Sequence, residues 1–412
     1  MNKLLSLEKK TKMHAAVFYG PNSISYENAY RNPIDTKADT FSGSILKVNA
    51  CSVCAYDARV FRNGHSKVTP PIVLGHEICG QTIEDITIRD HLGSGTELRS
   101  GSRVAISPII PCLKCVYCAN KQYNLCNDLK EIGSSVNGGF AEYINIPKQI
   151  LEIGGIAPIP DCLTNEEAAL IEPLSCCING FSHIGYPLET ESVVVLGDGP
   201  IGLLHLQLSK NLYQAKTAVV GKIPQRLKKA RSMGADATFW LDEDANNNDI
   251  NESYKGYDHK YINGRNNLNS SGSSYSGRTS GSGSNKSSDE VLKFTAGKGA
   301  DIIIIATNNP AALEFALKVA SKNSRINIFS GIVNSSSAGL SIDPNWLHYN
   351  QISITGSFSS SPKSLQEAIR LVGSRKIDLS QLIGRSYSLD DIEQALLITE
   401  KCVDLRAVIN KF

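Results

Sequence analysis

Ser192-Val193-Val194-Val195-Leu196-Gly197-Asp198-Gly199-Pro200-Ile201-Gly202 decides the fold of this 412-residue chain. Its first five residues form a valine-rich run, and a strand buried on both faces of a parallel sheet reads as such a run rather than as an alternation. Three glycines spaced G-x-G-x-x-G follow, and Leu203 to Leu208 then reads as a helix. Alone, the glycine pattern is a weak signal; closing a strand and opening a helix, it has the context of a dinucleotide-binding unit. Gly197 permits the tight turn, Gly199 lets the backbone approach a pyrophosphate, and Gly202 lets helix and strand pack closely. Pro200 and Ile201 lie in the first helical turn, whose unpaired N–H groups and positive dipole end face the phosphates.

Buried strand followed by helix recurs outward from this point. Thr217 to Val220 reads as the next strand; Ile302 to Ala306 is another, followed by a helix over Ala311 to Ala320; Arg325 to Gly331 and Ile352 to Phe358 supply two more. Strands alternating with helices predict an α/β chain with a doubly wound parallel sheet. The length is too great for one core, and at roughly 100–200 residues per domain it predicts two or three. Lys and Arg number 42 against 40 Asp and Glu, a net charge of +2 that gives no reason to expect nucleic acid or an anionic membrane as partner. No run reaches the ~18 apolar residues of a membrane span. Leu4-Leu5-Ser6-Leu7 is shorter than the ~7–15-residue core of a signal peptide, so a cytoplasmic location is expected.

Eleven cysteines, an odd number with no export signal, argue for thiolates as metal ligands rather than for a disulfide framework. Cys112, Cys115, Cys118 and Cys126 are spaced C-x2-C-x2-C-x7-C, which can wrap one tetrahedral Zn²⁺ with no position left open, the mark of a structural site. An iron–sulfur cluster, which also takes four cysteines, is the minor rival. A second set is dispersed: Cys54, His76 and Glu172 combine a soft, a borderline and a hard ligand, suited to a catalytic Zn²⁺ with one open position. Each is weak singly, since a histidine before a glutamate is more often an ordinary polar contact, and Cys51 with Cys54 also fits a zinc knuckle or buried thiols.

Cys54-Ala55-Tyr56-Asp57, Gly75-His76-Glu77, the four-cysteine lobe, Glu172-Pro173-Leu174 and the glycine turn occur in this order. Together they resemble the zinc-containing medium-chain alcohol dehydrogenases, in particular the sorbitol (iditol) and threonine dehydrogenase branch. The resemblance runs from about Met13 to the C-terminus. It implies a GroES-like, mostly β catalytic domain over 13–176, a Rossmann NAD(P)-binding domain over 177–358, and a return to the catalytic domain over 359–412, with residues 1–12 as a flexible tail. It implies two zinc ions per chain, the catalytic one on Cys54, His76 and Glu172. Cys176 and Cys177 are rivals to Glu172 as third ligand. Glu77 lies near the metal as a supporting group or exchangeable ligand, and Asp57 holds the other imidazole nitrogen of His76, fixing its tautomer. Tyr56 departs from the family, which places a small hydroxyl there to receive the alcohol proton; the phenol either relays that proton in a reshaped pocket or merely fills space.

The resemblance also locates the ribose-reading residue at Gly221, where an NAD enzyme usually carries Asp or Glu. With no carboxylate there and with Lys222 and Arg226 close behind, NADP(H) is expected over NAD(H). Ala306, Ser330 and Gly331 are expected near the nicotinamide. The implied reaction is hydride transfer between a secondary alcohol, a polyol or sugar alcohol, and the cofactor, in a homodimer or homotetramer. A threonine 3-dehydrogenase is the nearest alternative; a zinc-free quinone or enoyl reductase and a non-catalytic zinc-binding protein are remoter. Residues 245–288 fit none of this: 26 of the 44 are Ser, Asn or Gly, too few apolar groups to offset ordering entropy, and a disordered insertion is expected.

Overall fold

The computed structural model describes residues 12–31, 43–90, 92–241, 285–332 and 342–412. At its centre the Ser192–Leu196 strand pairs in parallel with Lys216–Gly221 on one side and Ala300–Ile305 on the other. Val194 stands opposite both Ala218 and Ile303, and all three side chains are fully buried, as a run with no polar face requires. Ala237–Trp240, Ala320–Ile328 and Ser353–Gly356 complete a six-stranded, all-parallel sheet. Gly199 caps the helix Pro200–Gln207, with Pro200 at its first turn where no N–H is needed. A β-carbon on Gly202 would fall 1.9 Å from the Gly197 carbonyl oxygen, so only glycine lets this helix start so close to the strand.

The second sheet is mostly antiparallel. Its strands run Ile156–Pro158, Arg103–Ile106, Glu77–Thr82, Gly43–Ser52, Arg406–Lys411, Ile383–Ser388, with Tyr143–Pro147 also paired to Gly43–Ser52. Residues from both ends of the chain thus share one sheet: Val408 pairs with Ser52 and Ile409 with Cys51. The helices Ile171–Ile184 and Pro362–Gly373 pack against one another between the sheets. Their Leu174, Phe181, Leu365 and Leu371 join Ala50 and Ala105 of the antiparallel sheet and Val193, Val195 and Ile302 of the parallel one in a single buried cluster. One continuous core fixes the two sheets relative to each other. No helix among the described residues is long and apolar enough to cross a membrane.

Two expected boundaries shift. The tail 1–12 lies outside the described residues except Lys12, which already opens the strand Lys12–Gly20. The insertion expected over 245–288 lies outside them as far as 284, but 285–288 begin the helix Asn285–Phe294. Ser287 is buried there and its hydroxyl donates to the Trp240 carbonyl at 3.0 Å, so local composition is overridden by a tertiary contact. Deleting residues 246–282, which leaves that helix whole, is expected to keep the thermal midpoint within about 2 °C. A deletion extended through Ser288 loses the hydrogen bond and a turn of helix, and should lower the unfolding free energy by about 1 kcal/mol or more in a denaturant titration.

Candidate active site

Three neighbouring strand ends of the antiparallel sheet build one site. Gly43–Ser52 runs out into Val53 and Cys54, and Cys54 starts the helix Ala55–Asn63. Asp57, in the first turn of that helix, accepts the Cys54 N–H on Oδ2 at 2.9 Å, a capping arrangement that suits a carboxylate at the positive end of a helix. Its Oδ1 lies 3.2 Å from Nδ1 of His76. A buried carboxylate can only accept, so Nδ1 carries a proton, and in the neutral ring Nε2 keeps the lone pair. Glu77 opens the next strand, opposite Ser52, and is 1 % exposed. Its Oε1 is 2.9 Å from Nη2 of Arg406, which opens the strand Arg406–Lys411 and donates through Nη1 to the Val53 carbonyl.

Cys54, His76 and Glu77 offer one donor atom each, all within 4.8 Å of one another. Oε2 of Glu77 is buried and has no hydrogen-bond partner, and Nε of Arg406 and the Ser52 hydroxyl are likewise left without one. Glu172, the expected third ligand, stands outside this compact trio. It sits on the same cavity wall, its Oε1 accepting from the Cys176 thiol at 3.2 Å. Cys177 is not on that wall; its sulfur points to the Ile201 carbonyl, which removes it as a ligand rival. Glu77, anchored by its pairing with Arg406, is thus the carboxylate held closest to Cys54 and His76, ahead of the expected Glu172.

The buried groups are mutually perturbed. Burial pushes the Glu172 carboxyl up to about 7, with His76 opposing and Glu77 adding to the effect. The Cys176 thiol is driven well up by burial and by the Glu172 anion. Burial works against the His76 cation, but Asp57 and Cys54 outweigh it and the imidazole's pKa is well raised. Burial lifts the Tyr56 phenol to about 12. Its ring stands edge-on to His76 at 5.8 Å on one side and to the exposed His65 at 5.4 Å on the other.

A cavity of about 1430 Å³ opens between the two sheets. Cys54, Tyr56, His76, Glu77 and Glu172 line one wall; Gly197, Gly199, Pro200, Ile201, Gly221, Lys222, Arg226, Ala306, Ser330 and Gly331 line the facing one. Of the residues expected at the dinucleotide, only Gly202 is off the wall, packed behind the turn. Asp57 likewise stands behind His76, fully buried. At the far end, the side chain of Asp198 reaches over Gly221 and accepts the N–H groups of Lys222 and Ile223 at 2.9 and 2.7 Å.

The four-cysteine lobe is separate. All four sulfurs lie within 4.8 Å of one another, and three of the pairs stand at 3.5, 3.9 and 4.0 Å. Disulfides would require about 2.05 Å; tetrahedral zinc with bonds of about 2.3 Å places sulfurs about 3.8 Å apart. Backbone N–H donors lower Cys115 to about 6, whereas burial raises Cys118 to about 12, so without a cation the lobe does not carry four thiolates together. Arg406 escaped the sequence reading, though an arginine inside the apolar stretch Leu405-Arg406-Ala407-Val408-Ile409 is the signal of a buried cation needing a partner.

Fold and site together join a parallel sheet with a dinucleotide-type glycine turn to an antiparallel sheet that carries two candidate metal clusters. Residues 43–160 match the alcohol dehydrogenase GroES-like domain and 279–374 the zinc-binding dehydrogenase domain. The chain belongs to the zinc-containing medium-chain alcohol dehydrogenase family. It is 26 % identical to a sorbitol dehydrogenase of Bacillus subtilis over 97 % of this chain and 98 % of that one. The starvation-sensing protein RspB of Escherichia coli K12 is 34 % identical over 46 % of this chain, a match that spans only 53 % of the relative's length. Among solved structures, a zinc-binding dehydrogenase from Sinorhizobium meliloti bound to NADP superposes with a TM-score of 0.74 at 22 % identity, covering 97 % of this chain and all of that one. An alcohol dehydrogenase from E. coli CFT073 complexed with NADH gives 0.72 at 24 %, over 97 % and 99 %.

Removing one partner of a buried ion pair strands the other. Arg406→Met should cost about 3–5 kcal/mol in a denaturant titration, and pairing it with Glu77→Leu should recover most of that loss.

Proposed function

We propose that the chain is a zinc-dependent alcohol dehydrogenase that moves hydride between a secondary alcohol, a polyol or sugar alcohol, and a nicotinamide dinucleotide. The observation that carries this reading is the placement of Cys54, His76 and Glu77 on the cavity wall that faces the Gly197–Gly202 turn. Cys54, His76 and a carboxylate, Glu77 or Glu172, would hold a catalytic zinc, and Cys112, Cys115, Cys118 and Cys126 a structural one. When bound, the catalytic zinc supplies a Lewis acid at the substrate oxygen and the nicotinamide a hydride acceptor.

The chain's own residues do the rest. Asp57 keeps His76 in one tautomer and one orientation, so that its Nε2 is a ready donor. Arg406 holds Glu77 against the same group and offsets its charge. The hydroxyl of Tyr56 takes the alcohol proton and passes it outward on the side of the exposed His65. The glycine turn orients the cofactor, and the cleft between the sheets excludes water from the reacting carbon. The similarity to a sorbitol dehydrogenase supports a polyol. A second reading, an alcohol carrying an anionic group such as a polyol phosphate or threonine, is favoured by Arg59 and Lys67 on the cavity wall beside Tyr56. We further propose the division into domains at about residues 176 and 358 and a homodimeric or homotetrameric assembly, which light scattering tests.

Following NAD⁺ and NADP⁺ reduction with polyols, polyol phosphates, simple alcohols and threonine separates these readings. Polyol oxidation supports the first, turnover confined to anionic alcohols moves it to the second, and reduction by none of them refutes dehydrogenase activity. Metal analysis is expected to give about two zinc per chain, and Cys118→Ser about one; a wild-type protein free of zinc would overturn the proposal.

A further inference from the structure

The adenosine end of the cavity holds a carboxylate in an unusual place. Asp198 lies between Gly197 and Gly199, is 8 % exposed and forms part of the cavity wall. Its side chain crosses from the glycine turn to the end of the adjacent Lys216–Gly221 strand, where Oδ2 accepts from the backbone N–H of Lys222 at 2.9 Å and of Ile223 at 2.7 Å. Two consecutive N–H groups at the entry of the helix Pro224–Ser232 make a nest that suits an anion, and a 2′-phosphate is the anion a dinucleotide would bring there. The protein fills that nest with its own carboxylate.

Gly221 is the complement of this arrangement. A β-carbon at Gly221 would fall 2.4 Å from Asp198 Oδ2 and 2.5 Å from its Cγ. An acid at the end of the strand and an acid at position 198 therefore compete for one space. The carboxylate that usually reads the ribose from the strand end has not been lost with Gly221; it enters from the glycine turn. Arg226, one of the two cations that follow Gly221, is turned elsewhere. Its Nη2 donates to the Asp404 carbonyl at 2.6 Å, and its Nη1 lies 3.9 Å from where a Gly199 β-carbon would stand, so the guanidinium faces the turn along which the pyrophosphate passes.

We propose that Asp198 is the specificity-determining residue for the cofactor and that it selects NAD(H) over NADP(H). The inference rests on the dehydrogenase reading only in requiring that a nicotinamide dinucleotide occupies this cavity. A carboxylate at this point accepts the ribose 2′-hydroxyl and repels a 2′-phosphate, and the filled nest leaves that phosphate without its amide donors.

Calorimetric titration of the full-length, metal-loaded protein with NADH and with NADPH tests this without reference to turnover. The wild type is expected to bind NADH more tightly, and Asp198→Ala to shift the affinity ratio towards NADPH by about a hundredfold, the size of a relieved like-charge contact. Asp198→Asn, which keeps an acceptor for both amides and guards against misfolding, should move the ratio in the same direction by a smaller factor. Asp198→Ala combined with Gly221→Asp returns a carboxylate to the same space and should restore NADH. A wild type that prefers NADPH, or a ratio that neither single variant moves, overturns the role of Asp198 while leaving the dehydrogenase reading intact. Failure of the wild type to bind either dinucleotide overturns that reading itself, and this inference with it.

Discussion

The buried ion pair between Glu77 and Arg406 is the constraint on which the site depends. Two charges almost fully removed from water are tolerated only when each is answered, and here the guanidinium is shared between a carboxylate and the Val53 carbonyl. The pairing ties the last strand of the chain to the two strands that carry Cys54, His76 and Glu77. Oε1 of Glu77 is spent on the arginine, and Oε2 stays buried without a hydrogen bond. A network of this kind is costly when half satisfied, and here both Glu77 Oε2 and Arg406 Nε are left without a partner.

Around that point the architecture divides labour between two sheets and one shared core. The antiparallel sheet supplies ligands from strand ends, where backbone direction changes and side chains can converge. The parallel sheet supplies the glycine turn at the carboxyl ends of its strands, the usual position for a ligand crevice in such folds. Leu174, Phe181, Leu365 and Leu371 of two central helices pack with residues of both sheets in one buried cluster beneath the cleft. The cysteine lobe stands apart from this cleft, which fits a structural role.

How much could be read in advance followed the range of the interactions involved. The four cysteines were legible because their ligands fall on one short loop, and the glycine turn because strand, turn and helix are contiguous. The apolar runs predicted five of the six strands of the parallel sheet, leaving out the half-buried Ala237–Trp240. His76 and Asp57 came only through resemblance, since nothing local links a histidine to an aspartate 19 residues earlier. Arg406 was passed over because its partner carbonyl is 353 residues away along the chain. Ser287 and Ser288 looked like part of a polar insertion, and a hydrogen bond to Trp240 and burial under the sheet made them helix.

The amino-acid sequence by itself determined the α/β architecture, the dinucleotide turn and the thiolate lobe, because each depends on residue types a few positions apart: glycines that alone fit a turn, valines that bury both faces of a strand, sulfurs within reach of one ion. The tertiary structure decided which carboxylates count. Glu77, rather than Glu172, lies within 4.8 Å of the donor atoms of Cys54 and His76, and Asp198 occupies the space beside Gly221 at the strand end. Both outcomes turn on where a side chain is anchored across the fold, by Arg406 in one case and by two backbone amides beside a glycine in the other, and electrostatic pairing of that kind acts through space.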